Sequence, residues 1–200
     1  MRLGTHVFNI GLRHPFATAR GVQTVDVLSG GRFEFGIGAS WLEEEWNATQ
    51  LDFATRGRRV DEAVEVCKRL WTEETVSHHG EFFAFDEAVF EPKPVQKPWP
   101  PILVGGESKA ALRRAARLGD GWIGVGHSFD SAKAQIVLLR SYLNESGRGD
   151  EGFQIVLGGP VTSRADVTQW EDLGVTRLIV SPWKRSPEAV ESLQRFAKFL

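Results

Sequence analysis

The chain has 200 residues, of which 42% are hydrophobic and 25% are charged, and its formal net charge is −2. This length and composition are typical of one globular domain, so we treat residues 1–200 as a single domain. The near-neutral charge gives no electrostatic reason to expect nucleic acid or an anionic membrane as a partner, and no apolar run approaches the ~18 residues of a membrane span.

The chain contains one cysteine, Cys67, which cannot form an internal disulfide. It lies in an amphipathic run, where we expect a buried and inert thiol rather than a nucleophile. No signal-peptide pattern opens the sequence. The expected compartment is therefore a reducing cytoplasm.

Short apolar runs rich in β-branched residues alternate with segments of helical periodicity. The clearest helix is predicted over 59–71, where one stripe of the helix is apolar. A hairpin is predicted over 75–90, and a proline-rich link over 92–101 follows it. In chain order, the remaining predictions are strand 2–9, helix 16–28, strand 32–38, strand 102–104, a helix capped by Ser108 to about 118, strand 122–125, helix 131–145, strand 153–157, helix 161–173, strand 176–181 and helix 187–200.

Six repeated βα units predict an α/β protein with a parallel sheet covered by helices. A closed eight-stranded barrel averages about 30 residues per unit, so six units account for roughly this length. A complete doubly wound sheet can also have six strands. The count alone therefore leaves two architectures open.

Several motifs resemble, in their order and spacing, those of the luciferase-like monooxygenase superfamily. Residues 26–33, Asp-Val-Leu-Ser-Gly-Gly-Arg-Phe, and residues 36–41, Gly-Ile-Gly-Ala-Ser-Trp, are similar to the family's passage from a helix into its fourth strand. The sequence is most similar to the deazaflavin-dependent (coenzyme F420) branch. Further similar segments are 2–7, 12–15, 56–62, 70–72, 100–106 and 115–122.

The resemblance implies a (β/α)8 TIM-barrel type of fold, here a truncated barrel of about six βα units. Family members carry two further units upstream, including an acidic-His motif that nothing in this sequence matches, so the catalytic residues remain unknown. An open barrel exposes strand edges and loses part of the pocket wall. From residues 1–200 alone we therefore expect weak or no cofactor binding and negligible turnover, both restored by roughly 70–80 upstream residues.

The implied function is that of an oxidoreductase that transfers hydride between coenzyme F420 or FMN and a small-molecule substrate. With FMN, activation of oxygen would make it a monooxygenase, whereas the deazaflavin would transfer hydride without oxygen. A homodimer or larger homo-oligomer is expected, because family members pair through helices near the start of the barrel. Two alternatives remain: a non-catalytic truncated paralogue that keeps the scaffold, and a six-stranded sheet that binds an ordinary dinucleotide but lacks the glycine fingerprint.

Two strand ends are candidates for contact with the cofactor ring. In the family, the first of them carries a non-prolyl cis peptide, although an ordinary trans strand end is the alternative from the residues alone. At the second, Trp41 replaces a carboxylic acid of several deazaflavin enzymes and cannot donate a proton in that role. Glu43 to Glu45, close by, indicate the start of a solvated helix. The ring-contact candidates are His6, Val7, Gly38, Ala39, Ser40 and Trp41.

Residues 105–108 follow a buried strand and open a helix. Free backbone N–H groups and the positive end of the helix dipole suit a phosphate there, and in the family the same loop binds the cofactor phosphate. Gly105, Gly106 and Ser108 are the candidates. Glu107 weakens the prediction, because an acid in the first turn can itself satisfy the helix end.

Three residues are candidates for contact with the substrate: His14 in a turn before a helix, His127 after the sixth strand, and Lys184 after the last strand. His78 and His79 lie in the predicted hairpin and lack the further partners of a metal site, so no metal is expected.

Overall fold

The computed structural model describes residues 1–198. Its strands are β1 (Leu3–Gly4), β2 (Phe8–Asn9), β3 (Phe33–Gly38), β4 (Thr75–His79), β5 (Ala84–Val89), β6 (Ile102–Gly105), β7 (Gly121–Gly124), β8 (Gln154–Gly158) and β9 (Arg177–Ile179). Its helices are α1 (Pro15–Ser29), α2 (Glu43–Ala48), α3 (Arg56–Thr72), α4 (Lys109–Leu118), α5 (Phe129–Glu145), α6 (Arg164–Asp172) and α7 (Ala189–Phe196). The predicted elements are confirmed with small shifts of their ends, except that residues 199 and 200 of the predicted last helix lie outside the described residues.

The main sheet is parallel and curls into a half-barrel with flanking helices. Its strands follow the order β1, β3, β6, β7, β8, β9, with β2 paired to β3 beyond β1. Because the order never reverses, the sheet has no topological switch point of the kind that defines a doubly wound fold. The truncated-barrel prediction is therefore confirmed, and β1 with β2 forms one edge of the described sheet.

The predicted strand over 2–9 is present as two short pieces that both pair with β3. Leu3 of β1 lies opposite Phe33, and Phe8 of β2 lies opposite Ile37. The peptide bond between His6 and Val7, which separates the pieces, is cis, as the family resemblance implied.

The apolar faces of the helices pack on the outer face of the sheet. Trp71 of α3 lies edge-on to Phe35 of β3, with ring centroids 6.4 Å apart. Cys67 is buried in the same contact region, as predicted, and burial raises the pKa of its thiol. Within residues 1–198, no helix is long and apolar enough to cross a membrane.

The predicted hairpin is present as the antiparallel pair β4 and β5. Glu62 of α3 holds the hairpin against this helix. Its carboxylate accepts hydrogen bonds from the backbone N–H groups of Phe82 and Phe83 and lies 2.9 Å from Nε2 of His78. These hydrogen bonds and the adjacent imidazole lower the pKa of Glu62, although its burial alone would raise it. His78 therefore fastens the hairpin to α3. Within residues 1–198, no three His, Cys, Asp or Glu side chains are grouped so that they could hold a metal.

One buried carboxylate joins distant strands on the inner face of the half-barrel. The Glu34 side chain on β3 is only 4% exposed; it accepts hydrogen bonds from Arg177 on β9 and, at 2.6 Å, from Arg2. Burial alone would raise the pKa of Glu34, but the hydrogen bonds and charge of Arg177, together with Arg2, lower it. The ion pair thus draws β9 toward β3 across the curled sheet.

We predict that Glu34→Gln destabilises the fold at neutral pH by about 1–3 kcal/mol, since both arginines lose a charged acceptor. Because the folded-state pKa of Glu34 lies below its unfolded value, its contribution is present above about pH 4.3 and is lost as the pH falls through the folded-state pKa. Urea unfolding at pH 7 and near pH 3 measures both effects.

The matched control is Glu81→Gln, which removes the partner of Arg58 in an exposed ion pair and should cost less than about 0.5 kcal/mol. An equal cost of Glu34→Gln at both pH values would contradict the assigned role of the charge.

Candidate functional site

A cavity of roughly 530 Å³ opens beside the His6–Val7 segment that precedes β2 and at the ends of β3, β6 and β7. This is the carboxyl edge of the parallel sheet, the edge on which barrel enzymes build their active sites. All nine residues predicted to contact a cofactor line this one cavity. The lining residues are His6, Val7, Gly38, Ala39, Ser40, Trp41, Phe53, Arg56, Gly57, Gly105, Gly106, Glu107, Ser108, Ala110, Ala111, Arg114, Ile123 and Val125.

The side chain of Val7 forms an apolar part of the cavity wall. It lies directly over two glycines: a Cβ atom added to Gly38 would be 2.6 Å from Val7 Cγ2, and one added to Gly105 would be 2.8 Å from Val7 Cγ1. Val7 nevertheless remains 42% exposed and lines the cavity. The two glycines therefore allow Val7 to lie close against β3 and β6 while it presents apolar surface to the cavity.

Polar groups line the cavity from the end of β6 to the start of α4. Gly106 has a φ of +123°, a backbone conformation that favours glycine, and its carbonyl accepts a hydrogen bond of 2.9 Å from the Trp122 indole. Ser108 caps α4 by accepting the N–H of Ala111 at 3.1 Å. The other N–H groups of the first helical turn have no acceptor within the helix. The positive end of α4 thus opens on the cavity and can receive an anion.

Two arginines line the same cavity. Arg114 is almost buried, paired with Asp61 and donating to the carbonyl of Gly57 at 3.1 Å. Arg56 stacks on the Phe53 ring at 3.9 Å, and it has no carboxylate partner within residues 1–198. Sequence reasoning missed both arginines, because only the packing of α3 against α4 brings them to the end of β6.

Glu107 does not occupy the end of α4. Its Oε1 accepts the N–H of Val125 at 2.7 Å, and its Oε2 lies 2.9 Å from Nε2 of His127. The imidazole of His127 is buried, with Nδ1 lying 3.1 Å from Oγ of Ser131. The acid that weakened the phosphate prediction is therefore turned toward β7 and away from the helix end.

The mouth of the cavity is formed by the loop after β3. Ser40 has a φ of +58° and donates from its hydroxyl to Glu45 at 3.0 Å. Trp41 beside it is 86% exposed while still lining the cavity. The predicted solvated helix start is confirmed as α2, which begins at Glu43.

The three predicted substrate residues are not brought together. His14 caps α1, accepting the Phe16 N–H on Nδ1 at 3.2 Å, and its ring contacts Phe83 outside the cavity. His127 lies behind Glu107. Lys184 lines a second cavity of roughly 460 Å³ at the ends of β8 and β9.

Comparison with known proteins identifies a family that the sequence matches. The family described as luciferase-like monooxygenase matches residues 1–197. An uncharacterised protein of Mycobacterium tuberculosis is 32% identical over 209 aligned positions, covering 99% of this chain and 71% of that protein. The FMNH2-dependent dimethylsulfone monooxygenase of Pseudomonas putida is 31% identical, covering 88% of this chain and 47% of that enzyme.

A solved structure has the same fold. The coenzyme F420-dependent tetrahydromethanopterin reductase of Methanopyrus kandleri superposes with a TM-score of 0.70 at 19% identity, covering 78% of this chain and 49% of that chain. The present chain thus spans about half the length of the two named enzymes. The chain belongs to the luciferase-like monooxygenase family.

Proposed function

We propose that the chain binds FMN or coenzyme F420 in the cavity at the end of β6, with the weak affinity expected of an open half-barrel, for an oxidoreductase activity on a small organic molecule. The observation that carries the proposal is that one cavity combines the apolar Val7 side chain, packed over Gly38 and Gly105, with the anion-receiving end of α4. A planar ring that carries a phosphate needs both surfaces. The cavity volume of roughly 530 Å³ lies in the range of small-molecule sites.

The named relatives support the same pair of cofactors. The Pseudomonas putida enzyme is FMNH2-dependent, and the Methanopyrus kandleri reductase depends on coenzyme F420. Both cofactors combine a fused planar ring with a phosphate-bearing tail, so both match the apolar and the anion-receiving parts of the cavity. With F420 the reaction would be hydride transfer, and with FMN a monooxygenation.

The chain's own residues would bind and orient the cofactor. Val7 would support one face of the ring, while the first turn of α4 and Arg56 would balance the phosphate charge. Trp41 at the mouth would limit the access of water. When bound, the cofactor supplies the hydride or the reduced ring for oxygen chemistry. His6 is the only histidine among the lining residues of this cavity, and we assign no acid or base to it.

A non-catalytic role is the second candidate. The observation that favours it is Trp41, which lines the cavity where the family resemblance places an acid in several deazaflavin enzymes. This role predicts that FMN or F420 binds without turnover of any substrate. Equilibrium binding combined with a search for cofactor oxidation over a substrate panel separates it from the enzyme.

We also propose that the protein is a homodimer or larger homo-oligomer in a reducing cytoplasm. The outer face of α1 leaves apolar side chains in solvent, with Val25 38% and Leu28 82% exposed. Static light scattering at micromolar concentration should give at least twice the 22.3 kDa chain mass. Leu28→Lys should shift the mass toward that of a monomer, whereas a wild-type protein that is already monomeric contradicts the proposal.

For cofactor binding, we predict that Gly106→Ala weakens FMN or F420 affinity at least tenfold. The φ of +123° is unfavourable for alanine, and the added Cβ would lie 2.9 Å from the Cβ of Ala111, so the end of α4 must shift. Titration monitored by cofactor fluorescence, extended to millimolar protein, measures the change.

Gly147→Ala is the matched control, since Gly147 also has a positive φ, of +68°, but its added Cβ meets no neighbouring atom. It should leave affinity unchanged. Equal affinity of wild type and Gly106→Ala would place the phosphate elsewhere, and binding of neither cofactor by the wild type would contradict the proposed function.

A further inference from the structure

The loop that receives the phosphate also contains a negative charge. Glu107 stands between Gly106 and Ser108, immediately before α4, and its side chain lines the cavity. A carboxylate in this position is attracted to the positive end of the helix. If it turned there, it would compete with a bound anion for the same N–H groups and would repel it.

Two contacts hold this carboxylate away from the helix end. The backbone N–H of Val125 donates to Oε1 at 2.7 Å, and Nε2 of His127 lies 2.9 Å from Oε2. The His127 side chain is only 7% exposed, and Nε2 is buried without a well-aligned hydrogen-bond partner. This buried nitrogen therefore lies beside Glu107, the acid on the cavity wall.

The environment of His127 fixes the direction of its ring. Nδ1 lies 3.1 Å from Oγ of Ser131, whose hydroxyl can donate to it; Nε2 then carries the ring proton and faces the Glu107 carboxylate as a donor. A Cβ atom added to Gly124 would lie 2.9 Å from Nε2, so the ring occupies space that only a glycine leaves. The imidazole is therefore packed at the end of β7 with Nε2 beside the Glu107 carboxylate.

We propose that His127 is a positioning residue that retains Glu107 beside β7 and thereby keeps the end of α4 open to a phosphate-bearing ligand. This inference rests on the proposed function, because it concerns the same cavity. The buried imidazole would thus affect the preference for an anionic ligand without contacting the ligand. The ligand class is a flavin or deazaflavin that carries a phosphate, as opposed to the same ring without one.

The test is a double-mutant cycle with FMN and riboflavin, which differ only by the phosphate. His127→Ala frees Glu107 and should weaken FMN binding about tenfold, since a carboxylate then lies within several ångströms of the phosphate. Riboflavin affinity should not change. Adding Glu107→Gln to His127→Ala removes the repelling charge and should restore FMN affinity. The same cycle is run with F420 and its phosphate-free deazaflavin chromophore.

Glu107→Gln alone serves as the variant that leaves the buried histidine intact. It should not weaken FMN binding, and a tenfold loss would overturn the inference. If His127→Ala weakens FMN and riboflavin binding equally, or if Glu107→Gln does not restore FMN affinity, His127 has only a structural role. Either result would overturn the inference and leave the proposed function standing. Failure of the wild type and every variant to bind either ring would overturn both.

Discussion

The parallel pairing of the strands is the constraint on which the site depends. Parallel strands bring all their carboxyl ends to one edge, so segments far apart in the chain meet there. Val7 precedes β2, Gly38 ends β3 and Gly105 ends β6, and their contact requires the register in which Phe8 faces Ile37 and Ile37 faces Val104. A slip of one residue would turn each side chain to the other face of the sheet and remove the packing of Val7 over the two glycines.

Much of the fold is predictable because local chemistry and long-range pairing agree. The apolar stripe of α3, the cap of α4 by Ser108 and the left-handed Gly30 after α1 each mark an element in the sequence. The break of the first strand between β1 and β2 is different. Thr5 lies in this break and packs closely against Gly36, a contact that a pattern of apolar residues does not contain.

The sequence predicted those residues of the candidate site that lie directly after the ends of strands. Glycines and a helix cap directly after strands indicate a cavity edge, and the resemblance supplied the ring wall. What the sequence could not show are contacts made across elements: Arg114 reaches the cavity while bound to Asp61 of α3, and Glu107 turns toward Val125. Gly38 was predicted to contact the cofactor ring. In the structure it accommodates the side chain of Val7, which itself faces the cavity.

The most direct test of the proposed site is a crystal structure of the protein with FMN or coenzyme F420 bound. The phosphate should lie at the first turn of α4, beside Gly106 and Ser108, with the ring against Val7. Glu107 should remain beside His127 in that complex. Ligand density in the second cavity, between Gly159 and Lys184, with an empty site at α4 would contradict the proposed function.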